Sequence, residues 1–272
     1  AGLDTVRRWP AFRSLRLLNN RTTPGGILAR FGRSFTWANF TGEHAYMRGP
    51  EMIVDYYGPI SDADLAHLRE APGLQKVGMG GPGLTEAALT HLAGLKRLEK
   101  LSVGLPLTEA GLAQIGRLTG LRELGVGGRQ NLSVDGLCHL HGLRQLDSLA
   151  LSGVGLTDDR MVFLEGLPGL RELRVGANPI VGPGMAHVAG LKNLERISLT
   201  DCSRFTNSGL VHLKGLTNLS YLSIQYTRVT DEGLELLYDL PKLCQVHMLG
   251  SKATRGGRVL LSKALGLSEV LY

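Results

Sequence analysis

Leucine recurs along most of the chain at a nearly constant spacing. The first leucine of the pattern L-x-x-L-x-[LVI] stands at positions 74, 98, 121, 146, 170, 194, 219 and 243. Apolar residues two positions apart predict a short, half-buried β-strand in each copy. A weaker copy starts at Glu51 and an isolated one at Phe12, and Leu267, Val270 and Tyr272 fit the same pattern as a terminal strand.

The second half of each copy predicts a helix. A Ser or Thr is usually followed by an acidic residue, as in Thr157-Asp158 and Thr230-Asp231, and leucines then recur at helical spacing. Ser and Thr are favoured helix N-caps, and an acid in the first turn complements the helix dipole. One strand and one helix cannot bury their own apolar sides. Stacked copies can, which predicts a right-handed α/β solenoid with a parallel concave sheet and convex helices.

The repeat resembles the leucine-rich repeat. The matching stretches include I224-QYTRVTDEGLELLYDL and L199-TDCSRFTNSGLVHLKGL, and the resemblance covers roughly residues 51–272. It is most similar to the ribonuclease-inhibitor-like and cysteine-containing subtypes, as found in bacterial leucine-rich repeat proteins and F-box-type substrate receptors. The resemblance implies a horseshoe fold but says little about function. The position usually held by Asn or Cys varies along the chain, so an asparagine hydrogen-bond ladder is not expected along most of the arc.

The first fifth of the chain differs chemically from the rest. Residues 1–50 hold eight arginines, no lysine and two acids, so they carry the whole formal charge of +6. We expect residues 1–50 to be a basic, aromatic N-terminal cap with a degenerate first repeat, and 51–272 to be a solenoid of about nine repeats. Phe35, Trp37 and residues 38–40 suggest a strand or hairpin within the cap.

Two other interpretations of this segment stay open. Its arginines could contact phosphates or an acidic partner, with Trp37 or Phe31 stacking on bases; the candidate basic surface comprises Arg7, Arg8, Arg30, Arg33 and Arg48. A juxtamembrane role after a removed anchor is the other interpretation. The sequence begins with Ala1 rather than Met. Three alternatives for what precedes it therefore stay open: a removed signal, an anchor or a further domain.

Motifs for catalysis or metal binding were not found in the sequence. Three cysteines cannot form a full disulfide framework, which favours a reducing compartment and, weakly, a cytoplasmic location. Histidines recur at one helical position, but neighbouring copies would stand about 10 Å apart, too far to share a zinc ion. The glycine-rich stretches lack the Lys-Ser/Thr of a phosphate loop. We therefore expect no catalytic residue, no metal and no cofactor, and the chain is expected to be a monomer.

The side chains between the inward leucines should face outward from the concave sheet. Those of the earlier repeats are mostly small, whereas the later repeats carry the residues that dominate protein interfaces. The expected partner-binding residues are Glu172, Arg174, Arg196, Asp201, Tyr221, Gln225, Tyr226 and His247. The sequence thus favours a non-enzymatic module or scaffold that binds a protein partner. Nucleic-acid or acidic-surface binding through residues 7–48 is one alternative, and a substrate-receptor-like adaptor or enzyme regulator is another.

Overall fold

The computed structural model describes residues 60–128 and 130–267, together with the backbone of four strands within residues 14–57. The chain divides into two compact units, Ala1–Pro106 and Leu107–Tyr272. Val270 and Tyr272, expected in a terminal strand, lie outside the described residues. This division, after Pro106, does not test the predicted boundary between an N-terminal cap and the solenoid at residues 50 and 51, which stays a prediction.

Among the described residues of the first unit, six strands lie in the order β1-β4-β3-β2-β5-β6. They are β1 Ser14–Leu18, β2 Trp37–Phe40, β3 His44–Arg48, β4 Ile53–Tyr57, β5 Lys76–Gly80 and β6 Lys100–Gly104. Strands β5 and β6 are parallel, as the repeat predicts. Two 3-10 helices follow β4 and β5, at Asp62–Glu70 and Glu86–Leu92.

The repeat starting at Glu51 does not stack directly on the repeat starting at Leu74, as simple stacking of copies would require. Instead β2 pairs in parallel with β5, and β3 lies antiparallel between β2 and β4. Strand β1 pairs in parallel with β4. The physical reason is the hairpin of β2 and β3, which reverses the chain and places β2 where a regular solenoid would have β4.

The second unit follows the repeat closely. Its strands are β7 Glu123–Gly127, β8 Ser148–Ser152, β9 Glu172–Arg174, β10 Arg196–Ser198, β11 Tyr221–Ser223 and β12 Gln245–His247. Each strand pairs in parallel with the next one along the chain. The predicted α/β solenoid of leucine-rich repeats with a parallel sheet is thus confirmed.

The helical halves of the second unit are short. Its α-helices are α1 Glu109–Gly116, α2 Val134–Cys138, α3 Asn207–Leu210, α4 Asp231–Glu235 and α5 Arg255–Ala264. Its 3-10 helices are His139–Gly142, Asp158–Gly166, Pro183–Val188 and Val211–Leu213. The 3-10 form is common in short pieces because it closes a turn in three residues.

The core of the second unit consists of the repeated leucines of both halves. Leu149, Leu173 and Leu222 of the strands are fully buried, and Phe163 and Phe205 are the largest side chains buried with them. Burying one such side chain contributes about 1.5–3 kcal/mol. The core therefore fixes the strands, and the alternate residues of each strand face away from it.

Asn178 satisfies buried backbone groups of two repeats. Its Oδ1 accepts hydrogen bonds from the amides of Val154 and Leu156, both at 3.0 Å. Its Nδ2 donates to the carbonyls of Leu151 at 2.7 Å and Val175 at 2.8 Å. The equivalent Cys202 and Thr227 are also buried, but each is seen donating to a single carbonyl.

Candidate protein-binding surface

Strand register brings the polar side chains of the later repeats next to one another. Glu172 pairs with Arg196, and Arg196 pairs with Tyr221. Two residues further along each strand, Arg174 is aligned with Ser198, and Ser223 is aligned with His247. In this parallel register each residue lies beside the equivalent residue of the next repeat. Side chains about 24 positions apart in the sequence are therefore neighbours on one face of the sheet.

Glu172 lies at the centre of this arrangement. Its Oε1 accepts a hydrogen bond from Arg174 Nη2 at 2.6 Å and lies 3.4 Å from Arg196 Nε. Its Oε2 accepts a hydrogen bond from Ser148 Oγ at 3.0 Å. Because a single carboxylate holds both guanidinium groups, it fixes their positions relative to one another.

The surroundings of Glu172 favour its ionised form. Partial burial works against ionisation, but the hydrogen bonds from Arg174 and Ser148 and the charges of Arg174 and Arg196 outweigh it. The pKa of Glu172 is consequently below its ordinary value of 4.5. At neutral pH this side chain is a carboxylate.

Aromatic contacts extend the cluster towards the last strand. The Arg196 guanidinium carbon lies 4.2 Å from the centre of the Tyr221 ring, a cation–π geometry. The Tyr221 ring in turn lies 5.2 Å from the His247 ring, and Gln225 Nε2 is 3.5 Å from His247 Nδ1. We call the connected residues Glu172, Arg174, Arg196, Tyr221, Gln225 and His247 the acid–arginine–tyrosine cluster.

A small cavity opens within this cluster. Its volume is about 100 Å³, and its charged and aromatic lining comes from Glu172, Arg174, Arg196 and Tyr221. Leu173, Ile197 and Ser198 complete the lining. The cavity is too small for a drug-sized ligand, since such sites enclose roughly 300–1,000 Å³. It has room for a single small group of a larger partner.

Asp201 and Tyr226 are not among the residues that line the cavity. They lie in the turns that follow β10 and β11, and both backbones are left-handed, with φ of 63° and 54°. The Tyr226 side chain is exposed and packs over Gly250. Six of the eight predicted partner-binding residues are therefore connected, and these two lie beside them on the turns.

Ser148 has a role in the cluster that sequence reasoning missed. It is one of the small side chains of the earlier repeats, which were not expected to bind a partner, yet its hydroxyl donates to Glu172. The spacing of 24 residues between Ser148 and Glu172 was the available signal, because it places them opposite each other on β8 and β9.

The candidate basic surface is not described at side-chain level. Arg7, Arg8, Arg30 and Arg33 lie outside the described residues, and only the backbone of Arg48 is described, in β3. The nucleic-acid and acidic-partner interpretations of this segment thus stay predictions.

The thiols of the described chain differ in exposure. Cys202 is buried, and burial raises the pKa of its thiol to about 11. A thiol with that pKa is protonated at neutral pH and is a poor nucleophile. Cys138 is half-buried and Cys244 is exposed.

The described histidines do not form metal sites with their neighbours. His139 lies 3.5 Å from Glu109, and His187 lies 2.7 Å from Glu165, so each pairs with a carboxylate of the preceding repeat. No group of three or more His, Cys, Asp or Glu residues in the described part of the chain could hold a metal ion. In the same part of the chain, no helix has the length and apolar character to cross a membrane.

Comparison with known proteins supports the fold. No protein-family model matches the chain, and no curated protein sequence matches it. The crystal structure of internalin C2 from Listeria monocytogenes, a leucine-rich repeat protein, is similar to it with a TM-score of 0.51. The two are 19% identical, and the match covers 71% of this chain and 85% of that one. At this identity the similarity shows the fold alone, and the chain has a leucine-rich repeat fold.

Proposed function

We propose that the chain is a non-enzymatic recognition module that binds a protein partner through the sheet face of β9 to β12. The observation that carries this proposal is the acid–arginine–tyrosine cluster, in which charged and aromatic side chains are connected to one another on an exposed face. Arg and Tyr are the residue types most enriched among interface hot spots, together with Trp.

The cluster is organised before any partner arrives. Arg196 is held by the Glu172 carboxylate on one side and by the Tyr221 ring on the other. Ordering a long side chain at an interface costs about 0.5–1.5 kcal/mol. Because these contacts already restrict Arg196, less of that cost remains to be met on binding.

We also propose that the repeats belong to the ribonuclease-inhibitor-like or cysteine-containing subtype. Cys202 supports this proposal, since it occupies the variable Asn/Cys position and is fully buried. Its Sγ donates a hydrogen bond to the Val175 carbonyl oxygen at 3.3 Å. An adaptor or regulatory role would use the same face, because a substrate receptor also works by holding a protein.

The test is affinity capture from a lysate of the source organism with three versions of the chain. The first is the wild type, and the second replaces Arg174, Arg196, Tyr221 and Tyr226 by Ala. The control replaces Arg117, Arg144 and Tyr238 by Ala; these residues lie in turns that follow helices, away from the strands. We expect the wild type and the control to retain the same partner and the four-residue variant to lose it while keeping its thermal unfolding transition.

A partner that binds the four-residue variant as tightly as the wild type would contradict the proposed face. Equal loss in both variants would show that the contact lies elsewhere or that general destabilisation is responsible. Circular dichroism of each variant separates these two explanations.

A further inference from the structure

We propose that the cavity between Arg174, Arg196 and Tyr221 is a receptor for one carboxylate of an acidic segment of the protein partner. This inference rests on the proposed function and names the chemistry that the partner must bring. It follows from three properties of the cavity: its charge balance, the unused donors of its two arginines and its size.

The charge balance leaves one positive charge uncompensated. The charged residues that line the cavity are Glu172, Arg174 and Arg196, so two guanidinium groups share one carboxylate. Arg171, which immediately precedes β9, is different because it has a carboxylate of its own, Glu195 at 2.9 Å. The surplus charge is therefore located at the cavity.

The two guanidinium groups use only part of their hydrogen-bonding capacity. Arg174 donates to Glu172 through Nη2, and Arg196 approaches the same oxygen through Nε. A guanidinium has five N–H donors arranged to hold a carboxylate with two parallel bonds. Within the described part of the chain no further hydrogen bond from either group is seen. The Arg174 and Arg196 side chains are 54% and 46% exposed, against 19% for Glu172, so their free donors can reach a partner.

Size and charge favour a carboxylate over a phosphate. A volume of about 100 Å³ admits a single carboxyl group with part of its stem. A monoanion would balance the single surplus charge, whereas a phosphate dianion would bring excess negative charge next to ionised Glu172. The Tyr221 ring, held against Arg196, offers an apolar wall for the methylene groups of a Glu or Asp side chain.

The test is a titration of the full chain with three capped pentapeptides, followed by the Nε–H resonances of the arginines in ¹H–¹⁵N spectra. The peptides are acetyl-Gly-Gly-Glu-Gly-Gly-amide and its counterparts with Gln or phosphoserine at the centre. We expect the Glu peptide to shift Arg174 and Arg196 in a saturable way, with little shift from the Gln peptide and weaker binding of the phosphoserine peptide. In the variant Arg196→Gln, affinity for the Glu peptide should fall about tenfold.

Arg171→Gln is the matched control, because it removes an arginine that already has a carboxylate partner; affinity for the Glu peptide should not change. The inference is overturned if the Glu and Gln peptides bind alike, if Arg174 and Arg196 do not shift, or if the phosphoserine peptide binds more tightly. The last outcome would indicate a phosphopeptide.

The peptide titration and the capture experiment can give a negative result independently of each other, so failure of the carboxylate receptor can be told apart from failure of the proposed binding face. A saturable titration combined with capture unaffected by the four-residue variant would overturn the proposed protein-binding face. A negative titration combined with loss of the partner would overturn only the carboxylate receptor.

Discussion

In the described part of the chain, three residues that follow strands adopt a left-handed backbone although none is glycine. They are Ala177, Asp201 and Tyr226, with φ of 55°, 63° and 54°. Glycine occupies the same conformation in the turns before and after them, at Gly153 and Gly250. A side chain in this region costs about 1–2 kcal/mol. Asp201 and Tyr226 lie beside the cluster, where a contact with the partner would account for keeping side chains at a costly position.

Ala177→Gly should raise the free energy of unfolding by about 0.5 kcal/mol. It removes the cost of a left-handed alanine, about 1–2 kcal/mol, while glycine adds back about 0.4–1 kcal/mol through the entropy of the unfolded chain. Urea unfolding measures the difference.

The matched control is Ala186→Gly, in the middle of the exposed face of the 3-10 helix Pro183–Val188. There the backbone is ordinary, so glycine should lower the free energy of unfolding by about 0.5–1 kcal/mol. If both variants lose stability to the same extent, the left-handed strain at Ala177 is not real.

At the scale of single residues, the sequence predicted position better than conformation. The alternation of buried and exposed residues placed Arg196 and Tyr221 on the same face, because strand periodicity depends only on spacing. It could not predict that Glu172 would bind both arginines, since that depends on side-chain rotamers and on Ser148. The left-handed turns were also missed, because residues other than glycine seldom occupy them, Ala and Tyr even less often than Asp.

At the scale of elements, the acid at the start of a helix connects neighbouring repeats. The sequence predicted that it would complement the dipole of its own helix. Asp158 does lie in the first turn of its own helix, and it also accepts hydrogen bonds from the amides of Val181, Gly182 and Gly184 in the next repeat, at 2.8–2.9 Å. Asp62 and Asp231 likewise accept from Thr85 and Thr254.

Asp158→Ala should lower the free energy of unfolding by about 2–3 kcal/mol, because it leaves three partly buried amides without their acceptor. Asp159→Ala is the control. The neighbouring carboxylate is exposed, and its partners, which include the Thr157 hydroxyl, all belong to its own turn. Its loss should change stability by less than about 0.5 kcal/mol.

Thermal and urea unfolding of the two variants provide the measurement. Similar losses from both would mean that Asp158 acts on its own helix, as the sequence predicted, and that its bonds to the next repeat add little.

The strands were more predictable than the helices at this scale. The six strands predicted in the repeats from Leu121 to Leu243 are present, because their leucines can reach the core only in one register. The helical halves contain few residues, so the hydrogen-bond pattern depends on how the turns pack, and four of the nine helices described in the second unit are 3-10 helices. The asparagine ladder was not expected along most of the chain, and Asn178 shows its full set of bonds at one position.

At the scale of the whole molecule, the N-terminal fifth is where the sequence pattern was least informative. Trp37 and residues 38–40 indicated a strand or hairpin, and β2 and β3 form one. The hydrophobic pattern could not predict the order of the strands in the sheet, because alternation with a period of two is the same for parallel and antiparallel neighbours. The consequence is that residues before Glu51 contribute a strand that pairs directly with β5.

A chain that starts at Glu51 should therefore unfold at a lower temperature than the full chain and should self-associate. The deletion removes β1, β2 and β3, so the backbone groups of β5 that pair with β2 lose their partners, and an unpaired strand edge attracts other chains. Differential scanning calorimetry and light scattering measure the two effects. A monomeric deletion variant with an unchanged transition would show that β2 adds nothing to the sheet.

The expected instability of a chain that starts at Glu51 makes that deletion unsuitable for testing the nucleic-acid alternative. Loss of binding by a destabilised deletion would say nothing about charge, so the arginines must be changed with the strands left in place. A variant with Gln at Arg7, Arg8, Arg30, Arg33 and Arg48 should keep the unfolding transition of the full chain. If these arginines contact phosphates, the slope of log affinity against log salt for a DNA duplex should fall by up to about 0.9 for each contact removed. Equal slopes for wild type and variant would exclude these five arginines as phosphate contacts to DNA.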